Sequence, residues 1–323
     1  MEIKNTNLLL LIVGAIVLVS AIIVGFFLFR DFFEESKENT LIKPETFKES
    51  ETAKNSWRRG QEQDEFWVVN PNSNTELLVK LFYPQNFEEN DSIDLLVLVP
   101  GGNSNSTSFT SGSKNAASLT EAGLAILIFD PDGRGESEGE ENQNGYVQQD
   151  GLAAIIEFAA KDLPDAKINK IGVVSFSFGV SMASGALSRY PNLPVSFYID
   201  WEGPVDRNDF AGCDNDRVGH LRNKVDCGDE AFFAEREAVN FIPKLEIPYW
   251  RLQSETDHAQ PDVLSAVRAI NAALGGSVPL VGLNENEIKA SLSETAPPSM
   301  IPDVLDKRLM TEVEKIAEKL FSR

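Results

Sequence analysis

The chain has 323 residues, of which 42% are hydrophobic, enough for one large α/β domain with a buried core. Its formal net charge of −21 argues against nucleic acid as a partner, because phosphate binding needs a basic surface. The two cysteines, Cys213 and Cys227, form no CxxC and no Cys/His cluster, so no structural zinc site and no resident metal is expected.

Residues 8–29 run without a charged side chain. As a helix they would reach roughly 33 Å, enough for the ~30 Å hydrocarbon core of a bilayer. Residues 1–30 are therefore expected to be a single N-terminal transmembrane anchor, with the lipid bilayer as a partner. The rival is a cleaved signal peptide ending near Val19-Ser20-Ala21. Against it, the apolar run continues to Phe29, and a mature protein rarely begins with such a stretch. Arg30, Lys37 and Lys43 beyond the run would naively place the domain in the cytoplasm. Long domains cross regardless of such charges. The cysteine pair and the sequons at Asn90 and Asn105 favour the extracytoplasmic side. Residues 31–64 are charged and read as a tether.

From residue 65 to 323, apolar strands alternate with helical segments. Residues 66–69 and 77–83 read as two opening strands around the turn Pro71-Asn72-Ser73-Asn74. Residues 93–99, 125–129, 171–174 and 195–199 follow as near-continuous apolar runs, the pattern of strands buried on both faces, and residues 248–253 and 278–283 read as two further strands. Residues 147–160 repeat apolar side chains at close to a 3.6 period, and helices are also expected at 180–188, 263–274 and 304–320. The fold class is α/β, a mostly parallel sheet with helices on both faces, whose ligands bind beyond the carboxyl ends of the strands. A polar segment at about 203–242 holds both cysteines and interrupts the rhythm after the sixth predicted strand. It reads as an insertion or small cap, and on the extracytoplasmic side Cys213 and Cys227 would pair in it.

Ser177 sits between a strand and a helix in Ser175-Phe176-Ser177-Phe178-Gly179, close to the G-x-S-x-G pattern of a strained turn that exposes a nucleophile. Ser175 replaces the first glycine but is still small. The amide of Phe178 would face a developing oxyanion beside the helix N-terminus. The plain structural alternative for Ser177 is a helix N-cap.

With Pro100-Gly101-Gly102 and Asp130-Pro131-Asp132-Gly133-Arg134-Gly135-Glu136-Ser137 after earlier strands, the stretch resembles the α/β-hydrolase superfamily. It is most similar to dienelactone-hydrolase-like and prolyl-oligopeptidase-like or X-Pro-dipeptidyl-peptidase-like members. The resemblance implies a second oxyanion amide from Gly101, Gly102 or Asn103, an architectural role for the Asp130–Ser137 loop, and a triad acid at Asp257. Asp200 and Glu202, after the preceding strand, are the alternative acids.

The expected histidine after the last strand is missing, since Asn284-Glu285-Asn286-Glu287 stands there. Only His220 and His258 exist. His258 lies at the correct end of the sheet and is the better base, whereas His220 belongs to an insertion expected to be poorly anchored. Neighbouring side chains usually diverge, so Asp257 would orient another group if Asp200 or Glu202 supports His258. Two functions follow: a serine hydrolase of an ester or peptide bond, needing no cofactor, or a non-catalytic binding domain that keeps the fold. The His258–Ser177 distance separates them.

Overall fold

The computed structural model describes residues 56–60, 64–88, 92–164, 166–214, 219–302 and 308–323. The expected anchor, most of the expected tether and Asn90 lie outside them. Among the described residues no helix is long and apolar enough to cross a membrane.

Among the described residues, ten strands form one sheet: β1 (Trp57–Arg59), β2 (Glu65–Asn70), β3 (Thr75–Phe82), β4 (Ser92–Val99), β5 (Ala125–Phe129), β6 (Lys167–Phe176), β7 (Val195–Trp201), β8 (Tyr249–Leu252), β9 (Val281–Leu283) and β10 (Asn286–Glu287). Their spatial order is β1-β2-β3-β5-β4-β6-β7-β8-β9-β10. The stretch from β5 to β9 is parallel throughout, while β1, β2, β3 and β10 pair antiparallel at the two edges. The continuous apolar runs of the central strands split between two cores by the two-residue period of a strand. In β4, Leu95, Val97 and Val99 enter one cluster, and Leu96 and Leu98 the other. β5 and β6 divide in the same way, with Leu127 and Val173 on the first side and Ile128 and Val174 on the second.

Among the described residues, seven α-helices connect or follow the strands: α1 (Ala117–Thr120), α2 (Tyr146–Lys161), α3 (Gly179–Arg189), α4 (Arg207–Ala211), α5 (Glu230–Ala234), α6 (Leu264–Leu274) and α7 (Leu309–Phe321). Helices α2, α3 and α6 send their apolar faces into the first core, and α7 covers the second with Leu309, Val313 and Ile316. The sheet is thus clad on both faces, as an internal parallel sheet must be.

Two strands are not legible from periodicity. β1 falls inside the stretch expected to be tether, held because Trp57 packs its ring 5.9 Å from Phe66 and 5.2 Å from Phe158. β10 is a two-residue edge pairing to β9. The expected start of the last helix, residues 304–307, lies outside the described residues, and α7 begins at Leu309.

The segment after β7 is an insertion, but not a loosely held one. Asp206 caps α4 through the amides of Asn208 and Asp209. Arg236 donates to the carbonyls of Asn142 (2.6 Å) and Gln143 (3.0 Å), and its own carbonyl accepts from the Ser181 hydroxyl of α3 at 2.6 Å. Arg207 binds Glu230 and Glu237 across the segment. A disulfide joins Cys213 to Cys227. Phe210, Leu221 and Phe233 of the insertion form a small apolar cluster with Phe178, the residue after Ser177. The expectation of poor anchoring is corrected: charged hydrogen bonds, a covalent link and a hydrophobic patch all tie this cap to the helix that begins beside Ser177.

Candidate active site

The turn between β6 and α3 places Ser177 in the left-handed region, φ 54°. A non-glycine residue there is strained, and the surroundings must hold it. Here the Ser177 amide donates to the carbonyl of Trp201 on β7 at 2.8 Å. On the other side, the exit of β4 presses against the turn. A Cβ added at Gly101 would meet the carbonyl oxygen of Phe176 at 2.3 Å and Cβ of Ser177 at 2.9 Å, so only glycine fits that approach. Gly102 follows at φ 52°. Phe178 has no hydrogen-bond partner for its amide among the described residues, and its carbonyl accepts from Asn144 at 2.7 Å. The amides of Gly102 and Asn103 likewise have no acceptor among the described residues.

Ser175, standing where the usual pattern has glycine, is fully buried and hydrogen-bonds the Tyr198 hydroxyl at 2.6 Å. Tyr198 neighbours a buried ion pair between Asp200 and Arg251, whose Nη1 lies 2.5 Å from the carboxylate. Tyr249 also donates to Asp200, at 3.0 Å. Burial pushes the Asp200 carboxyl up, opposed by Arg251, and burial alone would lower Arg251, which Asp200 more than reverses. The guanidinium therefore stays charged against the buried Asp200 carboxyl. The carboxylate thus faces Arg251, Tyr249 and Ser175 rather than the imidazole.

His258, on the loop after β8, lies with Nε2 2.8 Å from the Ser177 hydroxyl oxygen. Its Nδ1 is 2.9 Å from Oε2 of Glu202. An ionised carboxylate only accepts, so Nδ1 carries the proton and Nε2 is free to accept from the serine. Glu202 follows directly on β7, at φ 46°, and is 1% exposed. Its Oε1 accepts from the Ser254 amide at 3.0 Å and Oε2 also from the His258 amide at 2.9 Å. Burial by itself would raise its carboxyl, but the hydrogen bonds from His258 and Ser254 outweigh that, and Glu202 is held below the usual carboxylate value. The same two amides that ionise Glu202 also fix the loop that carries the imidazole. The Trp201 ring stacks on His258 at 4.5 Å, limiting its rotation.

The first-choice acid, Asp257, is corrected by this geometry. Its nearest oxygen stands 3.5 Å from Nδ1. Its Oδ1 accepts from the amides of Ala259 (2.9 Å) and Gln260 (2.8 Å), and Oδ2 from the Gln253 amide group at 3.0 Å. These bonds shape the loop, and the Asp257 oxygen stands farther from Nδ1 than the 2.9 Å of Glu202. Glu202, the alternative acid, is the residue in contact. His220 lies at the same elbow but not at the serine: its ring meets Phe178 edge-on at 4.4 Å. Although His220 keeps an exposed face, desolvation, helped by Lys224 and Arg134, lowers its pKa to about 4.

At the end of β9, where the resemblance expects a histidine, Asn284 stands at φ 54°. Its side chain accepts from the Gln253 amide at 2.9 Å and donates to the Gln253 carbonyl at 3.1 Å, clamping the exit of β8 from which the His258 loop departs. The Asp130–Ser137 loop is structural, as expected. Asp130 receives the amides of Ser106 and Glu136, and Arg134 pairs with Glu141 at 2.6 Å.

Glu202, Asp257 and His258 bring one potential ligand atom each within 4.8 Å of one another. Both Glu202 oxygens and Oδ1 of Asp257 accept from N–H groups here.

No protein-family model matches the sequence, and no curated protein does. Solved structures match by fold. An esterase from Pyrococcus furiosus superposes with a TM-score of 0.57 at 16% identity, over 80% of this chain and 91% of that one. Est1E from Butyrivibrio proteoclasticus, solved with ferulic acid bound, gives 0.53 at 15% identity over 79% and 97%. A dipeptidyl aminopeptidase IV-like protein from Bacteroides ovatus gives 0.57 at 16% identity, over 83% of this chain but only 36% of that larger one. The chain has the α/β-hydrolase fold.

Proposed function

We propose that this chain is a membrane-anchored serine hydrolase that cleaves an ester or peptide bond through an acyl-enzyme on Ser177. The observation that carries the reading is the unbroken line from Ser177 through His258 to Glu202, with both hydrogen bonds under 3 Å. The alternative of a binding domain rested on the missing histidine after the last strand. A base displaced by one strand, within contact of the serine, removes that support.

In this reading His258 Nε2 takes the Ser177 proton as Oγ bonds to the substrate carbonyl carbon. Glu202 stabilises the imidazolium and stays ionised. The amide of Phe178, with one from the Gly101–Asn103 turn, receives the charge on the carbonyl oxygen. As the tetrahedral species collapses, His258 returns the proton to the leaving alcohol or amine. Water then repeats the sequence on the acyl-enzyme, releasing the acid and restoring Ser177. Among structures of the same fold are an esterase and a dipeptidyl aminopeptidase IV-like protein, which suits either bond. Residues 8–29 would hold the domain at a bilayer, and the Cys213–Cys227 bond suits an extracytoplasmic location.

Rapid quenching of the protein during turnover of an activated aryl ester tests this reading. A mass increase of one acyl group on the peptide containing Ser177 is expected. Turnover without any covalent acyl adduct, or an adduct elsewhere, contradicts it.

A further inference from the structure

The chain carries 50 acidic against 29 basic residues, and many of its partly buried cations bind a carboxylate. Arg134, Arg189, Arg207, Arg236, Arg251 and Arg268 each bind one. Lys114 does not. It ends the short turn Gly112–Lys114 between β4 and β5, is only partly exposed, and has no hydrogen bond or ion pair among the described residues. Its ammonium lies instead over two rings, 5.1 Å from the centroid of Trp201 and 6.0 Å from that of Phe176.

Those rings define where it is. Phe176 immediately precedes Ser177, and Trp201 is the ring stacked on His258. Lys114 and the imidazole therefore share the Trp201 ring as a neighbour. The indole N–H of Trp201, buried and without an acceptor among the described residues, is a second unmet donor at that ring. The nearest acid, Glu202, is within electrostatic reach but cannot serve both residues, since its oxygens are taken by Ser254 and His258. Burial lowers the Lys114 pKa, and Glu202 opposes that shift. A ring face attracts a cation but supplies no counter-charge. Protein of this net charge would also repel an anionic substrate unless a local cation offset the field.

We propose that Lys114 binds a carboxylate carried by the substrate close to the scissile carbonyl, making carboxylated esters or peptides the preferred class. This rests on the serine-hydrolase reading above, with Lys114 setting specificity.

The test compares a matched pair of aryl esters, the neutral butyrate and the anionic hemisuccinate of p-nitrophenol, on the full chain in detergent. In Lys114→Met the ratio of kcat/KM for the anionic over the neutral ester should fall roughly tenfold or more, the usual effect of losing one charged hydrogen bond, and mainly through KM. Lys114→Arg should recover most of it. Should Lys114→Met unfold, free succinate must still inhibit neutral-ester turnover by the unaltered protein competitively. A ratio unchanged in folded Lys114→Met, or no competition by succinate, overturns the assignment while the nucleophile reading stands. If the folded parent cleaves neither ester and takes no fluorophosphonate label, both fall together.

Discussion

At the scale of single residues, two of the three groups in line are held at positive φ, Ser177 and Glu202. Such strain persists where surroundings over-determine it, and here both are tied to neighbouring strands: Ser177 to Trp201, and Glu202 to Leu252 of β8 at 3.2 Å. Glu202→Gln should keep the fold but lower turnover by roughly 10²–10⁴-fold, because the amide cannot stabilise an imidazolium and can impose the wrong tautomer. Asp257→Asn should lose less than about tenfold, since its contacts are to loop amides. Steady-state kinetics on the two variants separates them, and the reverse order would restore Asp257 as the acid. His220 makes a pH prediction. Its folded pKa of about 4 lies below its ordinary 6.5, so the unfolded chain binds its proton first. Its contribution is complete above about 6.5 and is lost as pH falls toward 4. Thermal unfolding of His220→Asn should therefore decline less across that window than the parent. Of these residues, Ser177 and His258 were readable from the sequence through the elbow pattern and a two-histidine inventory. Glu202 was visible only as a second choice, because a side chain's direction depends on a positive φ that no pattern encodes. Lys114 gave no signal, for a lysine in a Ser/Gly-rich loop looks solvated until the fold brings Phe176 and Trp201 beneath it.

At the scale of elements, the central strands and the long helices were legible because burial on both faces leaves continuous apolar runs and helices leave a 3.6 period. β1 and β10 were not, since short edge pairings carry no periodicity, and β1 depends on Trp57 meeting residues far away in sequence. The cap was located by its polarity and cysteines, but its grip on α3 comes from Arg236 reaching backbone carbonyls, which composition does not reveal. Replacing Cys213 and Cys227 together with alanine should cost about 2–3 kcal/mol, the entropy of a loop this short. It should also slow turnover, because the cap's apolar cluster includes Phe178. Chemical denaturation beside an esterase assay measures both, and unchanged stability would mean that the charged contacts alone hold the cap. Gly101→Ala should cost about 1–3 kcal/mol by forcing the β4 exit away from the elbow, and should depress turnover beyond that loss of folded protein.

At the scale of the whole molecule, the sheet brings residues from three strand ends to one point: Ser177 after β6, Glu202 after β7 and His258 after β8. Relative to the order implied by the resemblance, His258 stands one strand inward of the expected histidine, and Asn284 braces the place after β9. The sequence made that displacement visible as an absence, and the structure supplies its geometry. If residues 8–29 form an anchor, deleting residues 1–29 should give a soluble protein that unfolds cooperatively at the parent's midpoint, as scanning calorimetry would record. The central claim is that the displaced histidine activates Ser177. Its most direct test is the rate of fluorophosphonate labelling near neutral pH in the parent, Ser177→Ala and His258→Ala, each confirmed folded. One adduct on Ser177 is expected in the parent, none in Ser177→Ala, and labelling slowed by roughly 10²-fold or more in His258→Ala. A His258→Ala protein that labels as fast as the parent, or a folded parent that never labels, would contradict it.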